Sequence, residues 1–240
     1  MNETTKLTIV IPVYNEDNTL CEVIQRVYDA CGKESKCVFV DDGSSDMTLD
    51  ILRKMARKQD IVLHKENGGK GSAVRMGYAY ATGDYTIVQD ADLEYSPEEI
   101  PKILLFASKN DYDAVYGSRR LKKQKQFAHL LHFIGGTTLT YICNILYGSR
   151  LTDQPTCYKM IRTSLIKTIP LQENDFRFDP EITCHLLRRG ITIHEYPISY
   201  APRTVEEGKK IGWKDWFKWV WVFVKMRLVS QETIHLKKVV

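Results

Sequence analysis

Residues 89–94 read Gln-Asp-Ala-Asp-Leu-Glu and follow a short apolar run, Tyr85–Val88. At a strand end, alternate residues point the same way, so Asp90, Asp92 and Glu94 could converge on one point. Carboxylates this close raise one another's pKa unless a cation or a basic partner sits among them. They are hard oxygen ligands, suited to Mg²⁺ or Mn²⁺. Magnesium takes one or two carboxylates and completes its shell with water and phosphate oxygens, so such a cluster would hold a metal and a diphosphate together. The competing reading is an acidic turn whose Asp caps the next helix. It would win for a bare D-x-D, but here a strand precedes the motif and a helix opening at Pro97 follows it.

Two further polar clusters follow apolar runs. Asp41-Asp42-Gly43-Ser44-Ser45-Asp46 has the composition of a turn with a helix N-cap. Asn67-Gly68-Gly69-Lys70-Gly71 opens another helix. Its glycines would let backbone N–H groups approach an anion while Lys70 supplies charge. The G-x-x-x-x-G-K-[ST] spacing of a P-loop is absent, and a tight turn with a surface lysine is the competing reading. Basic residues cluster at 119–125, RRLKKQK, and again in 201–240, where nine Lys or Arg face four Asp or Glu. Such runs are usually solvated loops, but they also suit an anionic substrate or membrane.

The positioning elements follow from periodicity. Strands are expected at Leu7–Val13, 36–40, 61–65, 85–89 and 113–116, and later at 157–162 and 191–198. Helices are expected at 17–31, 47–58, from the 67–71 turn to about Thr82, and at 97–108, 126–147, 179–189 and 213–229. This alternation predicts an α/β fold with a mostly parallel sheet and helices on both faces. In such sheets ligands bind beyond the carboxyl ends of the strands, where DDGSSD, NGGKG and DADLE all fall.

The 240 residues, 43% hydrophobic and 27% charged, suit one large folded domain or one domain with a helical extension. A net charge of +4 gives no argument for nucleic acid. The six cysteines form no C-x-x-C pair and predict reduced, mostly buried thiols in a cytosolic protein. The opening MNETTKLTIV lacks the pattern of a signal peptide, and no apolar run reaches transmembrane length.

VIPVYNE (10–16), VDDGSSD (40–46), NGGKGSAVRMG (67–77) and QDADLE (89–94) occur in that order, and together they resemble the inverting family 2 glycosyltransferases of GT-A fold. VYGSR (115–119), LTDQPTCYKM (151–160), FRFDPEI (176–182) and PRTVEEGKKIGWKD (202–215) narrow the resemblance to the dolichol- and polyprenol-phosphate mannosyltransferases. The resemblance runs from residue 6 to about 229. It implies that Pro12, Tyr14 and Glu16 line the nucleotide's base and ribose, with Asp41 beside them and Asp42 structural. It places Lys70, Asp90, Lys209 and Lys210 around the donor, and Asp90, Asp92 and Glu94 on the metal. Asp92, Arg119 and Arg203 would be the catalytic residues, the two arginines holding phosphates through their planar forks. Glu94 stands where many such mannosyltransferases carry Gln. A polyprenyl phosphate acceptor is already anionic near neutral pH and needs no general base. Asp153, Asp179 and Glu181 are then left to position helices or sugar hydroxyls, with Asp153 as a sugar contact.

On the 213–229 helix, Lys214, Lys218 and Lys225 share a stripe, and most of the remaining circumference is apolar, including four Trp. That suits an amphipathic helix lying partly on the protein and partly in a membrane interface. Residues 1–210 are thus expected to form the GT-A domain and 211–240 an interfacial helix and tail. The expected reaction moves mannose from GDP-mannose to a polyprenyl or dolichyl phosphate at the cytosolic membrane face. A membrane-spanning partner subunit is compatible with this arrangement. Transfer from a UDP-sugar and transfer to a polysaccharide hydroxyl are the alternatives, and a non-catalytic binding subunit is the reading outside enzymology. A nicotinamide dehydrogenase fails for want of G-x-G-x-x-G after the first strand.

Overall fold

The computed structural model describes residues 5–122, 130–202 and 213–229. Strand β1 (Leu7–Val13) leads into α1 (Asp17–Cys31), β2 (Lys36–Asp41), α2 (Thr48–Met55), β3 (Ile61–His64), α3 (Lys70–Ala79) and β4 (Tyr85–Val88). A 3-10 turn, Pro97–Glu99, then opens α4 (Ile100–Lys109), followed by β5 (Ala114–Ser118) and α5 (Leu130–Tyr147). The chain continues through β6 (Lys159–Arg162), α6 (Thr163–Ile166), α7 (Phe178–Arg188), β7 (Ile193–Pro197) and α8 (Trp213–Leu228).

The strands form one sheet in the order β3-β2-β1-β4-β6-β5-β7. All its pairings are parallel except the two made by β6, which runs antiparallel to β4 and β5. The sheet is covered on both faces, as expected. Alternation along β1 sends Leu7, Ile9, Ile11 and Val13 into one core, with Leu20, Val23, Ile24 and Val27 of α1 and Ile100, Ile103 and Ala107 of α4. Val10 faces the opposite core, with Ala73, Val74 and Tyr78 of α3 and Phe178, Ile182 and Leu186 of α7. A third cluster joins Leu139 and Cys143 of α5, Cys184 of α7, and Trp219, Val222, Phe223 and Met226 of α8.

Two details depart from the expected pattern. α2 stops at Met55, because Ala56 turns to an extended conformation. The short helix α6 is an addition to the expected elements, since four residues carry no readable period. The expected residues 126–129 of the fifth helix lie outside the described residues. The six cysteines are free thiols, Cys21 exposed and Cys37, Cys143 and Cys184 buried. Among the described residues no helix is long and apolar enough to cross a membrane.

β2 and β4 flank β1 on opposite sides, so the connections leaving β1 and β4 diverge between those strands. A crevice beyond their carboxyl ends is where open sheets of this kind bind ligands. Residues 14–16, 42–46 and 89–94 all emerge there.

Candidate active site

Strand β4 ends at Val88, one residue short of Gln89. The Gln89 N–H still donates to Val10 O at 2.9 Å, and its buried side chain accepts from the Tyr158 hydroxyl and donates to Asp90 O at 2.8 Å. Asp90 is thereby presented at the mouth of the sheet. From there the chain turns, with Leu93 in the left-handed region at φ 60°. Strand alternation no longer applies past Asp90, and the expected convergence of three carboxylates is not formed. Asp92 accepts the Glu94 N–H at 3.1 Å, whereas the Glu94 carboxylate accepts the Tyr200 hydroxyl at 2.9 Å. Among the described residues no three His, Cys, Asp or Glu side chains are grouped as a metal cage.

The cation beside these carboxylates is Lys70. Its Nζ lies 2.6 Å from Asp90 Oδ1, at the first residue of α3. Burial works against its charge, but attraction to Asp90 and Asp92 holds its pKa above the usual lysine value. Burial pushes the Asp92 carboxyl the other way, well above the ordinary range, and the charges of Asp90 and Glu94 add to the rise. A crowded, partly desolvated carboxylate pair is a fit for a hard divalent cation, which would relieve that penalty. Asp90 and Asp92 are the side chains placed to hold it.

The glycines of NGGKG serve a different purpose from the one expected. The Gly68 and Gly69 N–H groups donate to the Asp42 carboxylate at 3.0 and 2.8 Å, and Lys65 Nζ joins them at 2.6 Å. The anion they cradle is internal, which makes Asp42 structural, as anticipated. A Cβ on Gly71 would lie 2.5 Å from Glu173 O and 2.8 Å from Asp175 O. Gly69, whose Cβ would lie 2.7 Å from Asn174 O, and Gly71 are small because the 173–175 loop crosses them.

The nucleotide loop divides into buried and open parts. Pro12 is buried within β1. Tyr14 is exposed, and Glu16 is half-buried beside Thr19, whose hydroxyl donates to Ala91 O at 2.6 Å and ties α1 to the acidic turn. The Asp41 carboxylate is fully buried, 2.6 Å from Nδ1 of the half-exposed His64. Any contact from Asp41 to a base therefore runs beside His64, a residue that carries no motif signal in the sequence. Ser44, Ser45 and Asp46 are turn and capping residues. Asn15 N–H donates to Ser44 Oγ, Ser45 N–H to Asn15 Oδ1, and Thr48 N–H to Asp46 Oδ1 at 3.0 Å.

Arg119 is drawn inward. Its Nε and Nη2 each lie 2.7 Å from an oxygen of Asp153, and its backbone N–H donates to the same carboxylate at 2.8 Å. Asp153 is 1% exposed, so the expected sugar contact is an internal partner instead. The guanidinium carbon sits 4.9 Å from the centre of the Tyr200 ring, whose hydroxyl holds Glu94. Asp153, Arg119, Tyr200 and Glu94 thus form one connected chain ending at the acidic turn. Tyr200 carries no motif signal either, and only the fold brings it there. Asp179 is also engaged, 2.7 Å from the buried Lys159 ammonium. Glu181 accepts the Gln172 and Glu173 N–H groups at 2.9 and 3.0 Å. Arg203, Lys209 and Lys210 lie outside the described residues.

The family model described as "Glycosyl transferase family 2" matches residues 8–169. Undecaprenyl-phosphate 4-deoxy-4-formamido-L-arabinose transferase of Edwardsiella ictaluri (strain 93-146) is 33% identical over 210 residues, which cover 85% of this chain and 62% of that protein. The chain therefore spans less than two thirds of that relative's length. Among solved structures, glucosyl-3-phosphoglycerate synthase from Mycobacterium tuberculosis with UDP superposes with a TM-score of 0.70 at 13% identity, covering 95% of this chain and 82% of that one. The same synthase with Mn²⁺, UDP-glucose and phosphoglyceric acid gives 0.67 at 14% identity, covering 95% and 81%. At that identity the likeness shows the shared fold.

Proposed function

The chain belongs to glycosyl transferase family 2, and we propose that it transfers one sugar, with inversion, from a nucleotide donor to a polyprenyl phosphate. The observation that carries this reading is the meeting of Asp90, Asp92 and Lys70 beyond the carboxyl ends of β1 and β4, where a diphosphate and its cation would sit. The named relative, whose acceptor is undecaprenyl phosphate, supports the acceptor class.

In this reading an acceptor phosphate oxygen attacks the anomeric carbon as the bond to the donor diphosphate breaks, and the nucleoside diphosphate leaves. Asp90 and Asp92 would hold Mg²⁺ or Mn²⁺, which would supply positive charge to the leaving group. Solved relatives of the same fold carry Mn²⁺ or Mg²⁺ with UDP. Lys70 adds a second charge at the diphosphate. Tyr14, Glu16 and Asp41, the last beside His64, flank the nucleoside. Arg119, fixed by Asp153, holds the wall of the site beside Tyr200, and Arg203, Lys209 and Lys210 meet phosphate oxygens from the late basic loop. No carboxylate need take a proton, since the acceptor's second pKa is about 6 by analogy with phosphoamino acids.

A polysaccharide hydroxyl as acceptor would need a carboxylate near Asp179 or Glu181 to take its proton, and these two are engaged by Lys159 and by backbone N–H groups. An inactive binding subunit is disfavoured by the intact Asp90 and Asp92 pair. The sugar is the finer question. The sequence resemblance implies mannose from GDP-mannose. The name of the Edwardsiella relative favours a second reading, a pentose or other sugar. Residues 1–210 form the catalytic domain in this account. The helix Trp213–Leu228 rests in this account against the cytosolic face of a membrane, alone or beside a membrane-spanning partner, and the expected tail at 230–240 lies outside the described residues.

A donor panel tests the whole reading. Purified protein is incubated with Mn²⁺, a polyprenyl phosphate and, in turn, GDP-mannose, UDP-glucose, UDP-N-acetylglucosamine and a UDP-pentose. A chelator-sensitive lipid-linked product from one donor is expected. Nucleotide release only with a saccharide acceptor would overturn the lipid reading.

A further inference from the structure

Lys70 occupies ground that a divalent cation would need. Its ammonium is 2.6 Å from Asp90 Oδ1, and its side chain is only 20% exposed. It also feels the charge of Asp92. A divalent cation bound to Asp90 with this ammonium still in place would set the ion's two positive charges and the ammonium's one on a single carboxylate. At this turn the Gly68 and Gly69 N–H groups are engaged by Asp42 and the Ser72 N–H by Asn174 O. The mobile charge is the side chain, on a flexible four-carbon stem at the start of α3. The positive end of that helix favours an arriving anion in the same place.

We propose that Lys70 is a built-in counter-ion, which neutralises Asp90 in the donor-free protein and is drawn off it by the donor's diphosphate, so that metal and nucleotide bind as a coupled pair. The inference rests on the reading of Asp90 and Asp92 as the metal-holding carboxylates. It makes the free protein a poor metal binder and the donor the trigger that opens the cation's place. By linkage, metal then strengthens nucleotide binding by the same factor.

The test titrates Mn²⁺ into the purified full chain, following the free-ion electron paramagnetic resonance signal, alone and then with UDP or GDP. For the wild type, binding of Mn²⁺ alone should be weak and at least tenfold tighter with whichever nucleotide binds. Lys70→Met should bind Mn²⁺ alone at least tenfold more tightly than the wild type, with the nucleotide's enhancement reduced. Lys70→Met binding Mn²⁺ alone no more tightly than the wild type overturns the proposal. A second measurement needs no variant. Acetylation of Lys70 by acetic anhydride, read by mass spectrometry, should be slow in the free protein and should rise severalfold when Mn²⁺ is saturating. Unchanged labelling at saturation also overturns it. Neither arm uses acceptor or turnover, so a failed transferase assay and a failed counter-ion are told apart.

Discussion

Arg119 and Asp153 are the clearest case of a side chain whose type was legible and whose partner was not. The motif VYGSR marks an arginine at a strand end, but nothing local announces a carboxylate 34 residues later that takes both arms of its fork. Asp153 is itself held by the Arg119 N–H and steadied through Glu195, which accepts the Asp153 N–H at 3.0 Å. Breaking a buried pair from one side strands the other charge. Asp153→Ala should therefore lower stability by about 3–5 kcal/mol in denaturant unfolding. If Arg119 instead pointed to solvent, the loss would be under about 1 kcal/mol. At the acidic turn, Asp92→Asn should abolish metal-dependent transfer while leaving the unfolding midpoint unchanged or raised, since burial and like charges already penalise that carboxylate. Equal turnover in the variant would remove Asp92 from the site.

At the scale of elements, most boundaries were readable because local period decides them. β1 and α1 fall on the expected residues, since an unbroken β-branched run and a 3.6-residue stripe leave no alternative register. The direction of β6 was not readable, because antiparallel pairing with β4 and β5 is set by partners far off in sequence. Helix α7 carries a property visible only after folding. Burial pushes Glu181 up to about 7 from 4.5, so the folded state holds its proton more tightly than the unfolded chain. Stability from this group is full below about 4.5 and is lost as pH rises towards 7. One turn on, burial, with Arg189 and Arg188 nearby, lowers His185 to about 4 from 6.5, so its contribution is full above about 6.5 and is lost as pH falls towards 4. Between about pH 4.5 and 6.5 the two slopes oppose each other. Removing either should expose the other, at about 1.4 kcal/mol per pH unit or less. His185→Gln should become more stable as pH falls across that window, and Glu181→Gln less stable. Parallel pH profiles for both variants and the wild type would contradict the assignment.

For the molecule as a whole, α5 and α8 pack on each other and leave an apolar outer surface. Trp219, Val222, Phe223 and Met226 of α8 are buried, while Phe217, Trp221 and Leu228 are 59%, 62% and 79% exposed. On α5, Ile134, Tyr141 and Ile145 are exposed as well. The sequence displayed the wide apolar circumference of α8, but not which part of it the protein would cover. Nor did it show that α5 would extend the exposed surface. The two kinds of tryptophan should separate cleanly. Trp219→Ala, on the inner side, should cost about 3–5 kcal/mol of stability. Trp221→Ser together with Phe217→Ser should leave thermal unfolding within a degree or two, and should lower sedimentation with anionic vesicles at least severalfold. Undiminished vesicle binding by the double variant would move the lipid contact elsewhere.

The close crossing at Gly71 has a consequence for descent as well as for folding. A single added carbon there meets the carbonyl oxygens of Glu173 and Asp175, which are backbone and cannot be trimmed by substitution. Across the descendants of this chain, the residue at 71 is therefore not free to drift by itself. A side chain can appear there only in a lineage whose 173–175 loop has already been lengthened, shortened or re-routed. Two stretches distant along the gene are bound to a common history.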